Sequence, residues 1–329
     1  MNKINKFNKI KILNTINKMV IIYSCIIICF QINQVIYSNE NIEFNGFSLP
    51  DNKDEWSKNV INLKKTFIRE NFKHWNNKSI KNASEVITYE NKDLILQEYK
   101  FLNYKSKQLT LYILHSSRPK KSSLIVLNPL TEEGLTDFLS ILRPAFEKYL
   151  KKYPLPKPNM KSLAQHQRMF SKFDWAMAYL IPSGLKINNS ISGKNINNDT
   201  TLKFQMEYDK FVIGDIRRAI QTLRNESDFE NIPLWIQAEK NMAVLSLYAS
   251  IFEPNINRLD LYNLGLSKEY ETFFKNKTKH LNILNALSIS NKNTNIILYE
   301  NAGNQWKYAN AVATKLGWEN KIKIRKFEE

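Results

Sequence analysis

The chain has 329 residues, 43% apolar and 12% aromatic, enough for one large α/β domain or two small ones. Its net charge is +17, but the basic residues are scattered among asparagines and isoleucines without a recognition motif, so no nucleic-acid partner is expected. The two cysteines, Cys25 and Cys29, both lie near the N-terminus, which excludes disulfides, thiolate metal sites and cysteine nucleophiles from the rest of the chain.

Residues 1–18 carry five lysines and no acid, and they precede the apolar run "MVIIYSCIIICF" from Met19 to Phe30. A basic segment, a short apolar core and a small residue, Ser38, before a polar start predict a secretory leader over residues 1–38. Gln31, Asn33 and Gln34 interrupt the run well short of the roughly 20 residues that a spanning helix needs. The expected location is therefore periplasmic or extracellular, with no membrane span once the leader is removed. An uncleaved N-terminal anchor is the alternative.

Residues 39–89 are expected to form an N-terminal helical segment, with Trp56, Val60, Leu63, Phe67 and Phe72 close to helical spacing. His74 and Trp75 stand at its end. A domain spanning 90–329 follows. It opens with two alternating runs around "NYKSKQ", a β-hairpin by pattern, with His115 near the end of its second strand. Strands and helices then alternate. "SSLIVLN" is a buried strand, and Leu135, Phe138, Leu139, Leu142 and Phe146 share one face of a helix that Pro144 is expected to kink. After the proline-rich "YPLPKPN" comes the strand "WAMAYLIPSG", then a polar loop over 185–200 and a helix with Tyr208, Phe211, Val212, Ile216, Ala219, Ile220 and Leu223 in register. The remaining elements are "IPLWIQA", "NMAVLSLYASIF", "INRLDLYNL", a helical region near 267–288, "NTNIILYE", "QWKYANAVATKLGW" and "KIKIRKF". Strands joined by such helices pair in parallel through right-handed crossovers. The expected fold is a three-layer α/β structure whose mostly parallel sheet is covered on both faces, with an antiparallel N-terminal hairpin at one edge.

The order of elements, the helix "DIRRAIQTLRN", the strand–turn–helix in "WIQAEKNMAVLSLYASIFEPNINRLDL" and the terminal "NAGNQWKYANAVATKLGW" resemble the α/β-hydrolase superfamily over residues 90–329. The likeness is to its secreted acetyl-xylan-esterase-like and prolyl-oligopeptidase-like members. The family's G-x-S-x-G frame falls on Ala238-Glu239-Lys240-Asn241-Met242, which puts Lys240 in the nucleophile position with neither glycine present. Asn241 is expected to be able to adopt a positive φ, since Asn tolerates the left-handed region better than most residues. The acid position falls in "ENAGNQW", where Asn301 and Asn304 are neutral and Glu300 ends the strand. No histidine follows the last strand in this sequence, and His74, His115, His166 and His280 lie elsewhere. His166 reads as a solvated helix residue and His280 as an exposed helical one. The oxyanion turn falls on "LNPLTEEGL", where Glu132 and Glu133 would repel a developing negative charge.

The degenerate triad positions are therefore Lys240, Asn301 and Asn304, and no residue is assigned as catalytic. Asn128, Glu132, Glu133, Glu239, Asn241 and Trp306 are the candidate cleft residues. No metal site and no cofactor are expected, since neither a His-x-x-x-His spacing nor a carboxylate–histidine cluster occurs. The resemblance and its gaps together point to an exported, non-catalytic protein that holds a small-molecule, glycan or protein ligand in the vacated cleft. The alternative is an active esterase-like or peptidase-like hydrolase with an unconventional constellation, in which Glu132, Glu133 or Glu239 would activate water.

Overall fold

Short apolar strands separated by amphipathic helices can bury both only by layering helices against a sheet. The computed structural model describes residues 48–72, 83–118, 121–185, 198–264, 281–299, 306–319 and 322–326. The leader with Cys25 and Cys29, His74, His280, and the loop with Glu300, Asn301 and Asn304 lie outside them. In chain order the elements are α1 (Lys53–Asn71), β1 (Glu85–Glu90), β2 (Leu94–Leu102), β3 (Gln108–Ser116) and β4 (Leu124–Pro129). Next come α2 (Glu132–Leu150), α3 (Met160–Lys172), β5 (Trp175–Ile181), α4 (Asn198–Asn225), β6 (Leu234–Glu239) and α5 (Lys240–Ser250). The last are β7 (Arg258–Tyr262), α6 (Ile283–Asn291), β8 (Asn295–Tyr299), α7 (Lys307–Lys315) and β9 (Lys323–Arg325).

One sheet unites the strands in the order β1-β2-β3-β5-β4-β6-β7-β8-β9. β1, β2, β3 and β5 pair antiparallel. From β5 through β4, β6, β7 and β8 to β9 every pairing is parallel. The expected three-layer, mostly parallel architecture with its antiparallel hairpin is what the chain adopts. The hairpin has one more strand than its pattern suggested, because β1 lies within the stretch read as a helical segment. That stretch is not separate either. Phe67 of α1 is buried and stacks on Tyr248 of α5 at 5.4 Å and on Phe252 at 5.7 Å, so residues 49–329 form one unit.

Local chemistry sets the element boundaries. The Asn52 side chain accepts from the amides of Asp54 and Glu55 and starts α1, while Thr131 Oγ1 accepts from Gly134 N at 2.9 Å and starts α2. Glu132 and Glu133 in the first turn of α2 suit the positive end of its dipole. The expected kink in α2 falls two residues after Pro144, where Phe146 has φ −132° and ψ 20°. The helix α3 lies in a stretch that the element pattern left between a loop and a strand. Of the region near 267–288, residues 283–291 are helical and 265–280 lie outside the described residues.

The two faces of the sheet are covered unequally. On one face α2 and α3 pack over β2, β3 and β5, with Leu96, Tyr112, Phe138, Leu142, Phe170 and Tyr179 in a common core. On the other, α4, α5, α6 and α7 lie side by side, and Ile236, Ala238, Leu259, Leu261, Ile296 and Leu298 are buried. Over β6–β9 no helix among the described residues crosses the face that α2 and α3 cover elsewhere. On that face Trp235, Arg258, Tyr262 and Tyr299 are half-buried, Gln237 and Arg325 are exposed, and Asp260 and Ile297 are buried, while α5, α6 and α7 cross on the opposite side.

Removing the Phe67 ring leaves a cavity beneath α1 that Tyr248 and Phe252 cannot fill. Phe67→Ala is expected to destabilise the protein by about 3–5 kcal/mol in one cooperative urea transition. A separate early transition of α1 with the main midpoint unchanged would show that the helix is an independent segment.

Candidate functional site

The central feature is a junction with no loop. β6 ends at Glu239 and α5 begins at Lys240, the next residue. Both neighbours are fixed: Leu234, Ile236 and Ala238 of β6 are buried, and so is every residue of α5 from Met242 to Ser250. The chain reverses within one residue, and Lys240 adopts φ +51° to do so. This is the sparsely populated left-handed region for a residue with a Cβ. The turn's positive φ therefore sits on Lys240, at the tip, and not on Asn241, which follows as an exposed residue of the first helical turn.

β4 and β6 are parallel neighbours, so the turns that follow them stand side by side. The turn after β4 starts α2 and presents Glu133, whose Oε2 lies 3.5 Å from Lys240 Nζ. Glu239 makes no capping hydrogen bond, and its Oε1 lies 3.4 Å from the same ammonium. The charge of Glu133 first, then that of Glu239, holds the Lys240 amine above its ordinary pKa, so it remains protonated. All three side chains are more than half exposed, so these ion pairs are screened and weak.

The other expected cleft residues divide. Glu132 is exposed beside Glu133 and bears on Tyr208 of α4, a residue that helical spacing placed only in the core. Burial, with Asp209, Asp215 and Glu132 adding, pushes the Tyr208 phenol up to about 12. Its ring also lies 3.4 Å from where a Cβ on Gly184 would stand, and Gly184 has φ +83°. Asn128 is half-buried, and its Nδ2 donates to Val126 O and Ala178 O, which ties β4 to β5. Trp306 is fully buried at the start of α7 and presents no surface to a ligand. The structure thus brings Glu133, Glu239 and Lys240 together, leaves Asn128 as a strand clamp, and places Trp306 in the core.

No hydroxyl stands in for the nucleophile within α5. Ser246 is wholly buried with no partner for its Oγ, and Ser250 Oγ bonds Leu247 O and Ser290 Oγ in the core. His166 is on α3, as expected, but it is half-buried: Nδ1 meets Ser162 O at 2.9 Å and Nε2 meets the Tyr179 hydroxyl at 3.3 Å. His115 on β3 meets the Ser116 carbonyl, and burial holds its pKa below the ordinary value. Among the described residues no three of His, Cys, Asp and Glu converge as metal ligands.

No family model and no curated protein matches this sequence. Solved structures do. A candidate acetyl xylan esterase from Bacteroides fragilis superposes with a TM-score of 0.60 at 12% identity, over 91% of this chain and 81% of that one. Acetyl xylan esterase 1 from Thermoanaerobacterium sp. gives 0.45 at 9% identity, over 85% and 89%. Acylaminoacyl peptidase from Pyrococcus horikoshii gives 0.45 at 14% identity, over 73% of this chain and 38% of its own. The chain has the α/β-hydrolase fold.

Glycine occupies the left-handed region without a Cβ clash. Lys240→Gly is therefore expected to raise the thermal midpoint by roughly a degree or two, and Lys240→Ile to lower it. A scanning-calorimetry series in which both changes lower the midpoint equally would show that the ion pairs, and not the backbone, set stability at this turn.

Proposed function

We propose that this protein is a non-catalytic member of its fold that binds a ligand through the polar cleft at the carboxyl ends of the central strands. One observation carries the reading: a protonated lysine, bracketed by Glu133 and Glu239, occupies the left-handed tip where the fold displays a nucleophile. A lysine amine attacks only when neutral, and a neutral amine near pH 7 needs desolvation or neighbouring cations. Lys240 has neither, being exposed between two carboxylates. The same carboxylates oppose the negative charge that acyl transfer builds on the carbonyl oxygen. Open α/β sheets bind ligands outside the carboxyl ends of their strands, which is where this charged turn stands. Such a surface suits a small molecule, a glycan or a protein segment with alternating charge.

The test compares wild type with Lys240→Ser on a panel of acetyl esters, alongside a fluorophosphonate probe for activated serines. Both proteins are expected to remain at the background of a heat-inactivated control. A lone hydroxyl without an adjacent base is a poor nucleophile, and losses within a triad run to several orders of magnitude. Turnover by the wild type overturns the non-catalytic reading, and turnover by Lys240→Ser alone reveals an intact base.

The same proposal places the protein outside the cytoplasm, on the strength of the lysine-rich start and the short apolar run ahead of Ser38. N-terminal sequencing of exported protein is expected to begin at or next to Asn39. Recovery of residues 1–30 in a membrane fraction would support the anchor instead.

A further inference from the structure

A cavity lies at the end of the sheet opposite Lys240. Ser116, Ser117 and Arg118, at the exit of β3, face Gln167, Arg168 and Ser171 of α3 across a cavity of about 390 Å³, with Asp93 in its wall. The sheet register fixes its place. His115 pairs with Ala176, and Leu124 pairs with Trp175, so Ser116 is level with the amino ends of β4 and β5. Lys240 follows the carboxyl end of β6, roughly 20 Å along the strands at their usual rise. The cavity is therefore separate from the cleft.

Its polar groups are partly held and partly free. Arg118 Nη1 donates to Ser171 O at 2.9 Å, which ties the guanidinium to α3, whose Arg168, one turn before Ser171, lines the same cavity. Arg118 N donates to Ser116 Oγ, leaving that hydroxyl's own proton to point elsewhere. The hydroxyls of Ser117 and Ser171 are committed to Lys92 O and Arg168 O. Asp93, the one carboxylate among the described lining residues, accepts from Gln167 Nε2 at 3.5 Å. Among the described residues neither guanidinium has a carboxylate within ion-pair distance. Two guanidinium groups against one carboxylate among the described lining residues leave the cavity net positive, and an oxyanion held by both forks offsets that charge.

We propose that this cavity is a binding site for a small hydroxylated anion, its phosphate or carboxylate held by Arg118 and Arg168 and its hydroxyls by Ser116, Gln167 and Asp93. The volume suits a ligand of monosaccharide size, toward the lower end of ordinary small-molecule pockets. Guanidinium forks bind both oxyanions, so the source of the charge is decided by comparison.

Isothermal titration of the full chain with glucose 6-phosphate, gluconate and glucose tests the assignment. Saturable binding of one or both anions is expected, the tighter one naming the source, with none for neutral glucose. Arg168→Ala and Arg118→Ala are each expected to weaken the anion at least about tenfold. Arg168 is exposed, so its variant is expected to keep the wild-type thermal midpoint, which separates lost binding from lost folding. Equal binding of glucose, unchanged affinity in a folded Arg168→Ala protein, or no saturation by either anion at millimolar concentration overturns the proposal. Loss of binding on Lys240→Ala instead would place the anion in the cleft, and overturns it too.

Discussion

The absence of any loop between β6 and α5 is the constraint on which the rest of the site depends. A strand with one buried face and a helix buried along nearly its whole length leave no room to lengthen the connection. The reversal falls on one residue, and the left-handed backbone at Lys240 follows from that geometry, whatever side chain stands there. Strain of this kind persists only where the surrounding packing over-determines it. The strand neighbours β4 and β7 and the helix neighbours α4 and α6 supply that packing. They hold Lys240 beside the first turn of α2, and the meeting of Lys240 with Glu133 is a result of sheet order.

Charge is used differently at the surface and in the interior. Around Lys240 the charged groups are exposed and their pairings are screened by water and salt. Several buried polar contacts lie around α4. Asp215 is buried, accepts from Ser183 N at 2.7 Å and from Asn103 Nδ2 at 3.0 Å, and so binds the exit of β5 and the β2–β3 turn to one helix. Burial pushes its carboxyl above the ordinary range, as it does that of Glu253, which Arg217 meets at 2.7 Å. Leaving either carboxylate without its donors would strand a buried charge. These buried contacts tie the scaffold together, while the exposed ion pairs at Lys240 add little to stability.

Much of this was legible in the sequence. Continuous apolar runs and helical periodicity located β4–β8, α2, α4 and α5, and the frame around Lys240 placed the turn correctly. What escaped has physical causes. β1 reads "EVITYE" and is mostly exposed, so alternation against a core is weak there, and only its pairing with β2 identifies it. Trp306 reads as a cleft residue from its place near the start of the last helix, but burial of an aromatic ring there leaves no trace in local pattern. Asn241 is the better left-handed residue by propensity, and tertiary packing overrode that preference in favour of Lys240. The register of Arg118 against α3 is invisible to any periodicity, since it joins residues far apart in sequence through a single side-chain bond to Ser171 O.

The uneven covering of the sheet has a consequence for how substitutions combine. Over β6–β9 the side chains of this face pack against one another across strands: Tyr262 and Tyr299 stack at 4.2 Å, and the Arg258 guanidinium lies 4.3 Å over Trp235 and bonds Asp260 at 2.7 Å. Close partners of these residues stand on the neighbouring strand. Changes on this face are therefore coupled in cross-strand pairs, so that the cost of losing Tyr262 depends on what stands at 299. On the opposite face, where helices and strands interlock, the cost of a change depends on a crowd of neighbours at once. One sheet thus carries a face open to stepwise, pairwise variation and a face on which a change must suit many contacts together.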